Sequence, residues 1–88
     1  MFYTYILKSK KDRELYVGST NNLQRRFAEH NEGMVESTKP RRPFILVYYE
    51  AYKAEDDARE RESQLKLRGQ ARAHLKQRIK KSLLLGES

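Results

Sequence analysis

The stretch Leu15-Tyr16-Val17-Gly18-Ser19-Thr20, continued by Asn21-Asn22-Leu23-Gln24-Arg25-Arg26-Phe27-Ala28-Glu29-His30, decides how this chain folds. Its first half is strand-like, with aromatic and β-branched side chains closed by a glycine and two hydroxyl residues. In its second half Leu23 and Phe27 recur at i, i+4 as the apolar stripe of a helix, with Arg26 and His30 at the same spacing on a neighbouring polar stripe. The apolar stripe anchors the helix and leaves the polar one free to act. A tyrosine, an arginine and a histidine beside one tight turn suit a phosphodiester.

Outward from this unit, residues 2–8 (Phe-Tyr-Thr-Tyr-Ile-Leu-Lys) read as a strand with Tyr3, Tyr5 and Leu7 on one face. Ser9 to Arg13 is a polar connector of hairpin length, so residues 14–18 return antiparallel and bring Tyr16 onto the strand beside Tyr5. Asn21 with Gln24 three residues on predicts a capping box for a helix over about 22–31. Asn31-Glu32-Gly33 ends that helix, and a basic loop follows with Lys39, Arg41 and Arg42 between Pro40 and Pro43.

Residues 44–52 (Phe-Ile-Leu-Val-Tyr-Tyr-Glu-Ala-Tyr) are nearly continuously apolar and aromatic, which predicts a strand covered on both faces. Glu55, Asp56 and Asp57 complement the positive end of the next helix, and Lys66 and Arg68 the other end. Its inward face is Ala58, Glu62 and Leu65. A carboxylate between two apolar neighbours needs a partner, which a metal ion or an arginine supplies. After Gly69, Ala71, Leu75, Ile79 and Leu83 recur every four residues as a basic amphipathic helix over about 70–84, leaving residues 86–88 as a frayed end. The expected fold class is α/β in the broad sense and α+β more closely: a single domain over 1–88, a three-stranded antiparallel sheet flanked by helices in the order β-β-α-β-α-α.

Composition narrows the function. The 88 residues suit one small core, and 38% hydrophobic residues with nine aromatics (six Tyr, three Phe) are enough to fill it. There is no cysteine, which excludes disulfides, thiol nucleophiles and cysteine-based zinc sites. The net charge is +7, and from Ser63 to Gly86 seven basic residues occur without an acid. That asymmetry favours a polyanionic partner, with Lys39, Arg41, Arg42, Lys66, Arg68, Arg72 and Lys76 as candidate nucleic-acid contacts. No run approaches a membrane span and Met1-Phe2-Tyr3 opens directly into a strand, so a cytoplasmic protein, monomeric or weakly dimeric, is expected.

Taken together these residues resemble the GIY-YIG nuclease family, specifically its small stand-alone bacterial members related to the catalytic module of excision-repair nucleases. Tyr16-Val17-Gly18 matches the second signature triplet, Tyr5 precedes Tyr16 by eleven positions, and Arg26 and His30 match the helix that follows. Ala58-x-x-Arg61-Glu62-x-x-Leu65-Lys66 is similar to the helix bearing the family's metal-binding glutamate, and the likeness spans residues 2–66. The first triplet, Tyr3-Thr4-Tyr5, keeps only the final tyrosine, and no asparagine follows Asn31, where many members use one after the glutamate helix.

The resemblance implies a metal-dependent endonuclease with Tyr5, Tyr16, Arg26, His30 and Glu62 as catalytic residues. Glu62 would hold one Mg²⁺ or Mn²⁺, Arg26 would meet the transition-state charge, and Tyr5 would be the general base. Tyr16 would position the water or share its proton, and His30 would orient a tyrosine or contact phosphate. The expected substrate is DNA, with RNA as an alternative, cut with little sequence preference because 88 residues leave no room for a separate base-reading domain. A role in DNA repair or processing fits that chemistry. The competing reading is a catalytically idle nucleic-acid-binding module of the same fold.

Overall fold

The computed structural model of the chain describes residues 1–67 and 69–85. Strands β1 (Phe2–Ser9) and β2 (Leu15–Thr20) form the expected antiparallel hairpin, pairing Tyr5 with Gly18 and Leu7 with Tyr16. Tyr5 and Tyr16 are therefore diagonal neighbours on one face. Strand β3 (Phe44–Tyr52) joins the other side of β1, also antiparallel, giving the order β2-β1-β3.

This order corrects the expectation for residues 44–52. The strand enclosed on both faces is the central β1, buried continuously from Thr4 to Ser9, whereas β3 is an edge strand whose buried residues are Phe44 and Val47. Its apolar appearance has two local causes. The register shifts by one residue between Ile6 and Leu7, which interrupts alternation. Two of its tyrosines also turn their hydroxyls to a carboxylate: Tyr48 and Tyr52 both donate to Glu50, which takes Arg61 of the second main helix on the same oxygens.

Helix α1 (Leu23–Glu32) covers the face carrying Tyr5, Leu7 and Phe44, with Leu23 and Phe27 packed into that cluster. The cap lies one residue beyond the predicted one: Asn22 accepts from the Arg25 amide at 3.1 Å, and its own amide bonds Thr20 Oγ1. At the other end Gly33 adopts φ 81 and the Met34 amide bonds the Glu29 carbonyl, a left-handed stop that only glycine takes without strain.

Helix α2 (Glu55–Lys66) covers the opposite face, where Ile6, Val17, Val47, Leu65 and Leu75 form the second cluster. The predicted terminal helix is interrupted at Ile79 (φ −115°, ψ 31°), so it runs as α3 (Gln70–Arg78) and a short α4 (Lys80–Leu83). Ala71, Leu75, Ile79 and Leu83 still meet the core. Arg68 and the predicted frayed end at 86–88 lie outside the described residues.

Candidate active site

The site is built on the step from Gly18 to Ser19. Successive residues of a strand point to opposite faces, so Gly18 lies under α1 while Ser19 faces α2. The Tyr5 ring crosses directly over Gly18. A Cβ there would lie 2.6 Å from Tyr5 Cζ, closer still to its hydroxyl, and 3.1 Å from Cε2 of Tyr16. Glycine is required at this position by close approach, not by backbone angle.

From this position the Tyr5 hydroxyl lies 2.8 Å from His30 Nε2, and His30 Nδ1 lies 2.8 Å from Thr38 Oγ1. All three residues are fully enclosed, Tyr5 at 1% and His30 and Thr38 at 0% exposure. This overturns the expectation that His30 stands on a free polar stripe. The pitch of α1 turns it inward, where Tyr5, Tyr16 and Phe44 surround its ring at 5.0 to 6.0 Å. Burial and the Arg26 charge lower the His30 pKa to about 4, so the ring is neutral and carries one proton. Thr38 donates to the Val35 carbonyl at 3.4 Å, so it accepts from Nδ1–H, and Nε2 is left to accept from Tyr5. The bonds run in one direction from Tyr5 into the loop after α1.

Burial, and next the neighbouring Tyr16, push the Tyr5 pKa to about 12, against the opposing pull of the Arg26 hydrogen bond and charge. Arg26 itself is held by Glu29 through a 3.1 Å bond and keeps 37% of its side chain exposed, so the guanidinium stands between the tyrosine and solvent. Its charge is permanent.

Glu62 reaches the same step from the other face. Ser19 Oγ donates to its Oε1 at 2.7 Å, and Lys66 Nζ lies 2.8 Å from its Oε2. The protein partners of the carboxylate are thus a serine and a lysine one turn along the helix, not an arginine. Glu62 acts electrostatically on Tyr5, and Tyr16 on Lys66, so the two halves of the site lie within each other's field. A carboxylate with 20% exposure is an acceptable hard ligand for a divalent cation. Among the described residues no group of three or more His, Asp or Glu could cage an ion. A cation at Glu62 would depend on water and substrate oxygens for the rest of its shell.

A cleft of about 300 Å³ opens beside Arg26 between α1 and α2, lined by Ser19, Thr20 and Asn21 and by two arginines that the sequence did not single out, Arg25 and Arg59. Both are partnered one turn along their helices, Arg25 with Glu29 and Arg59 with Glu55, a spacing that could have drawn attention to them.

The predicted basic contacts are dispersed. Arg41 pairs with Asp12 at 2.7 Å and lies over the Phe44 ring, while Arg42 bonds the Lys39 carbonyl and closes over Gly33. These two guanidinia hold the loop in place. Lys39 is exposed, Lys66 sits on Glu62, and Arg72 with Lys76 lines a separate depression of about 220 Å³. No helix among the described residues is long and apolar enough to cross a membrane.

A tyrosine pair over a glycine, an arginine on the covering helix and a glutamate on the next helix define a GIY-YIG module, and residues 1–77 match the GIY-YIG catalytic domain. The chain belongs to that family and, within it, to the UPF0213 proteins. It is 45% identical over 65 residues to a UPF0213 protein of Staphylococcus haemolyticus, covering 73% of this chain and 78% of that one. A UPF0213 protein of Clostridium perfringens is 45% identical over 67 residues, 75% of this chain and 71% of its own. The solution structure of a UPF0213 protein from Bacillus halodurans superposes with a TM-score of 0.56 at 28% identity, over 100% of this chain and 98% of the other.

Proposed function

We propose that this chain is a metal-dependent endonuclease that hydrolyses DNA phosphodiester bonds with little sequence preference, in DNA repair or processing. The observation that carries this reading is the convergence of Tyr5, Tyr16, Arg26 and Glu62 on the Gly18–Ser19 step from both faces of one strand. Phosphodiester hydrolysis needs an activated water and neutralisation of the negative charge that grows on the phosphoryl and leaving oxygens. Arg26, exposed and permanently cationic, binds the phosphoryl oxygens as a planar fork. Glu62 is the residue that would hold a single Mg²⁺ or Mn²⁺, which supplies positive charge for the leaving oxygen.

The tyrosines divide the remaining work. Tyr5, buried, raised to about 12 and donating to a neutral histidine, is poorly placed to accept a proton. Its roles are to hold Tyr16 and to aim its own oxygen at Arg26. Tyr16 is less deeply buried and sits on the strand beside Tyr5, so it takes the general-base role that the sequence resemblance gave to Tyr5.

The test incubates labelled single-stranded, duplex and branched DNA with the protein in Mg²⁺, Mn²⁺ or EDTA, beside Glu62→Ala and Arg26→Ala. Cleavage that requires metal and both side chains is expected. Binding without cleavage in every condition would favour an idle nucleic-acid-binding module. The Lys66 and Ser19 bonds that engage both oxygens of Glu62, and the absence of any asparagine after Asn31, are the observations on that side.

A further inference from the structure

Tyr49 is the only exposed aromatic among the described residues, at 53%, and it does not stand alone. It lies on the face of the sheet that carries Tyr5, one strand away, and packs edge-on against Tyr3 with ring centroids 6.0 Å apart. Along the rest of this face α1 provides cover. Here the helix has just begun, and the uncovered surface forms a groove of about 500 Å³ floored by Tyr3, Leu46 and Tyr49 and walled by Leu23 and Phe27. The carboxamides of Asn21 and Gln24 at its rim offer donors and acceptors together.

Asn21 also lines the arginine-bearing cleft beside the active site, so the aromatic groove and the cationic cleft meet at one residue. An aromatic floor with amide groups at its margin, next to a cleft where Arg25, Arg26 and Arg59 outnumber Glu29 and Glu55, matches one ligand chemistry: an unpaired nucleobase whose own phosphates lie on Arg25 and Arg26. A paired base cannot reach such a floor, because its faces are already stacked.

We infer that the Tyr3–Tyr49 groove is a stacking subsite for an unpaired base beside the cleavage point, so the chain selects nucleic acid with single-stranded character. This deepens the nuclease reading and rests on it for the position of the cleavage point, but the binding it describes needs neither metal nor cleavage.

The experiment measures fluorescence anisotropy of the full chain in EDTA with a labelled mixed-sequence single strand, the same strand made abasic, and its duplex. The wild type should bind the base-bearing strand most tightly. Tyr49→Ala should weaken that binding about tenfold, leave the abasic strand unaffected and keep the salt slope, while Tyr49→Phe retains wild-type affinity. Arg25→Ala should reduce the salt slope instead. Equal affinity of the wild type for base-bearing and abasic strands, or undiminished single-strand binding by Tyr49→Ala, would overturn the subsite. If the binding pattern holds but no strand is cut in Mg²⁺ or Mn²⁺, the nuclease reading fails and the subsite stands.

Discussion

The ring of Tyr5 occupies the space that a side chain on Gly18 would fill, with 2.6 Å between Tyr5 Cζ and the position of a Cβ. Gly18→Ala should therefore displace Tyr5 from His30. Overpacking of this kind costs about 1–3 kcal/mol. Urea unfolding should show that loss together with a collapse of cleavage, whereas Gly69→Ala, where nothing lies within 4 Å, should leave activity intact. Equal behaviour of the two variants would refute the close-packing argument.

Substitution of the two tyrosines should separate stability from rate. Tyr5→Phe leaves His30 Nε2 buried without a partner, at a cost of about 1–3 kcal/mol. Tyr16→Phe should cost less than about 1 kcal/mol, yet lower the single-turnover rate by about 100-fold or more, as loss of a general base does. Near-wild-type cleavage by Tyr16→Phe would return the base role to Tyr5.

Acid should weaken the fold through His30 before the carboxylates respond. Its pKa falls from an ordinary 6.5 to about 4, chiefly by burial. Between these values the unfolded chain binds a proton that the folded chain refuses, so stability is complete above 6.5 and falls as pH drops toward 4. The loss is on the order of 3 kcal/mol by the lower limit. Asp12, held at about 2 by its Arg41 hydrogen bond, titrates below that window. Against the opposing effect of burial, bonds from Arg61, Tyr48 and Tyr52 hold the Glu50 pKa below its ordinary value. Urea midpoints should decline from pH 7 to pH 5; a flat profile would contradict the buried neutral imidazole.

Lys66→Gln should free one oxygen of Glu62. With Lys66 52% exposed, solvent screening limits the competition it exerts, so Mn²⁺ affinity in the absence of DNA should rise by roughly two- to fivefold, read by electron paramagnetic resonance titration. An unchanged affinity would mean that the ammonium does not compete for the carboxylate.

The Glu50 network should matter for stability alone. Glu50 and Arg61 keep only 18% and 22% of their side chains exposed, and two tyrosine hydroxyls share the carboxylate. Glu50→Ala should cost roughly 2 kcal/mol, below the figure for a fully buried pair, with cleavage per folded molecule unchanged.

Strands, hairpin and the helix after the glycine turn were legible because they are local: alternation, turn chemistry and the Leu23/Phe27 spacing all lie within a few residues. The enclosure of β1 rather than β3 was not legible, since strand order is a tertiary fact and tyrosines read as apolar until their hydroxyls find Glu50. Spacing put Arg26 and His30 on one helical stripe correctly but could not fix how α1 rolls on the sheet. That roll sends the histidine into the core and leaves the arginine at its surface. Arg41 and Arg42 looked like free charge because their partners, Asp12 and the Lys39 carbonyl, come together only in the folded loop.

The bond from Tyr5 to His30 also bears on how such chains diverge. Tyr5, Gly18 and His30 close the core whether or not a chain of this fold cleaves anything, so selection for folding alone would preserve them. Arg26 and Glu62, with 37% and 20% of their side chains in water, have no comparable structural hold. In a related sequence the signature tyrosine and glycine therefore testify to inheritance of the architecture, while the arginine and glutamate are the positions that bear on the proposed chemistry.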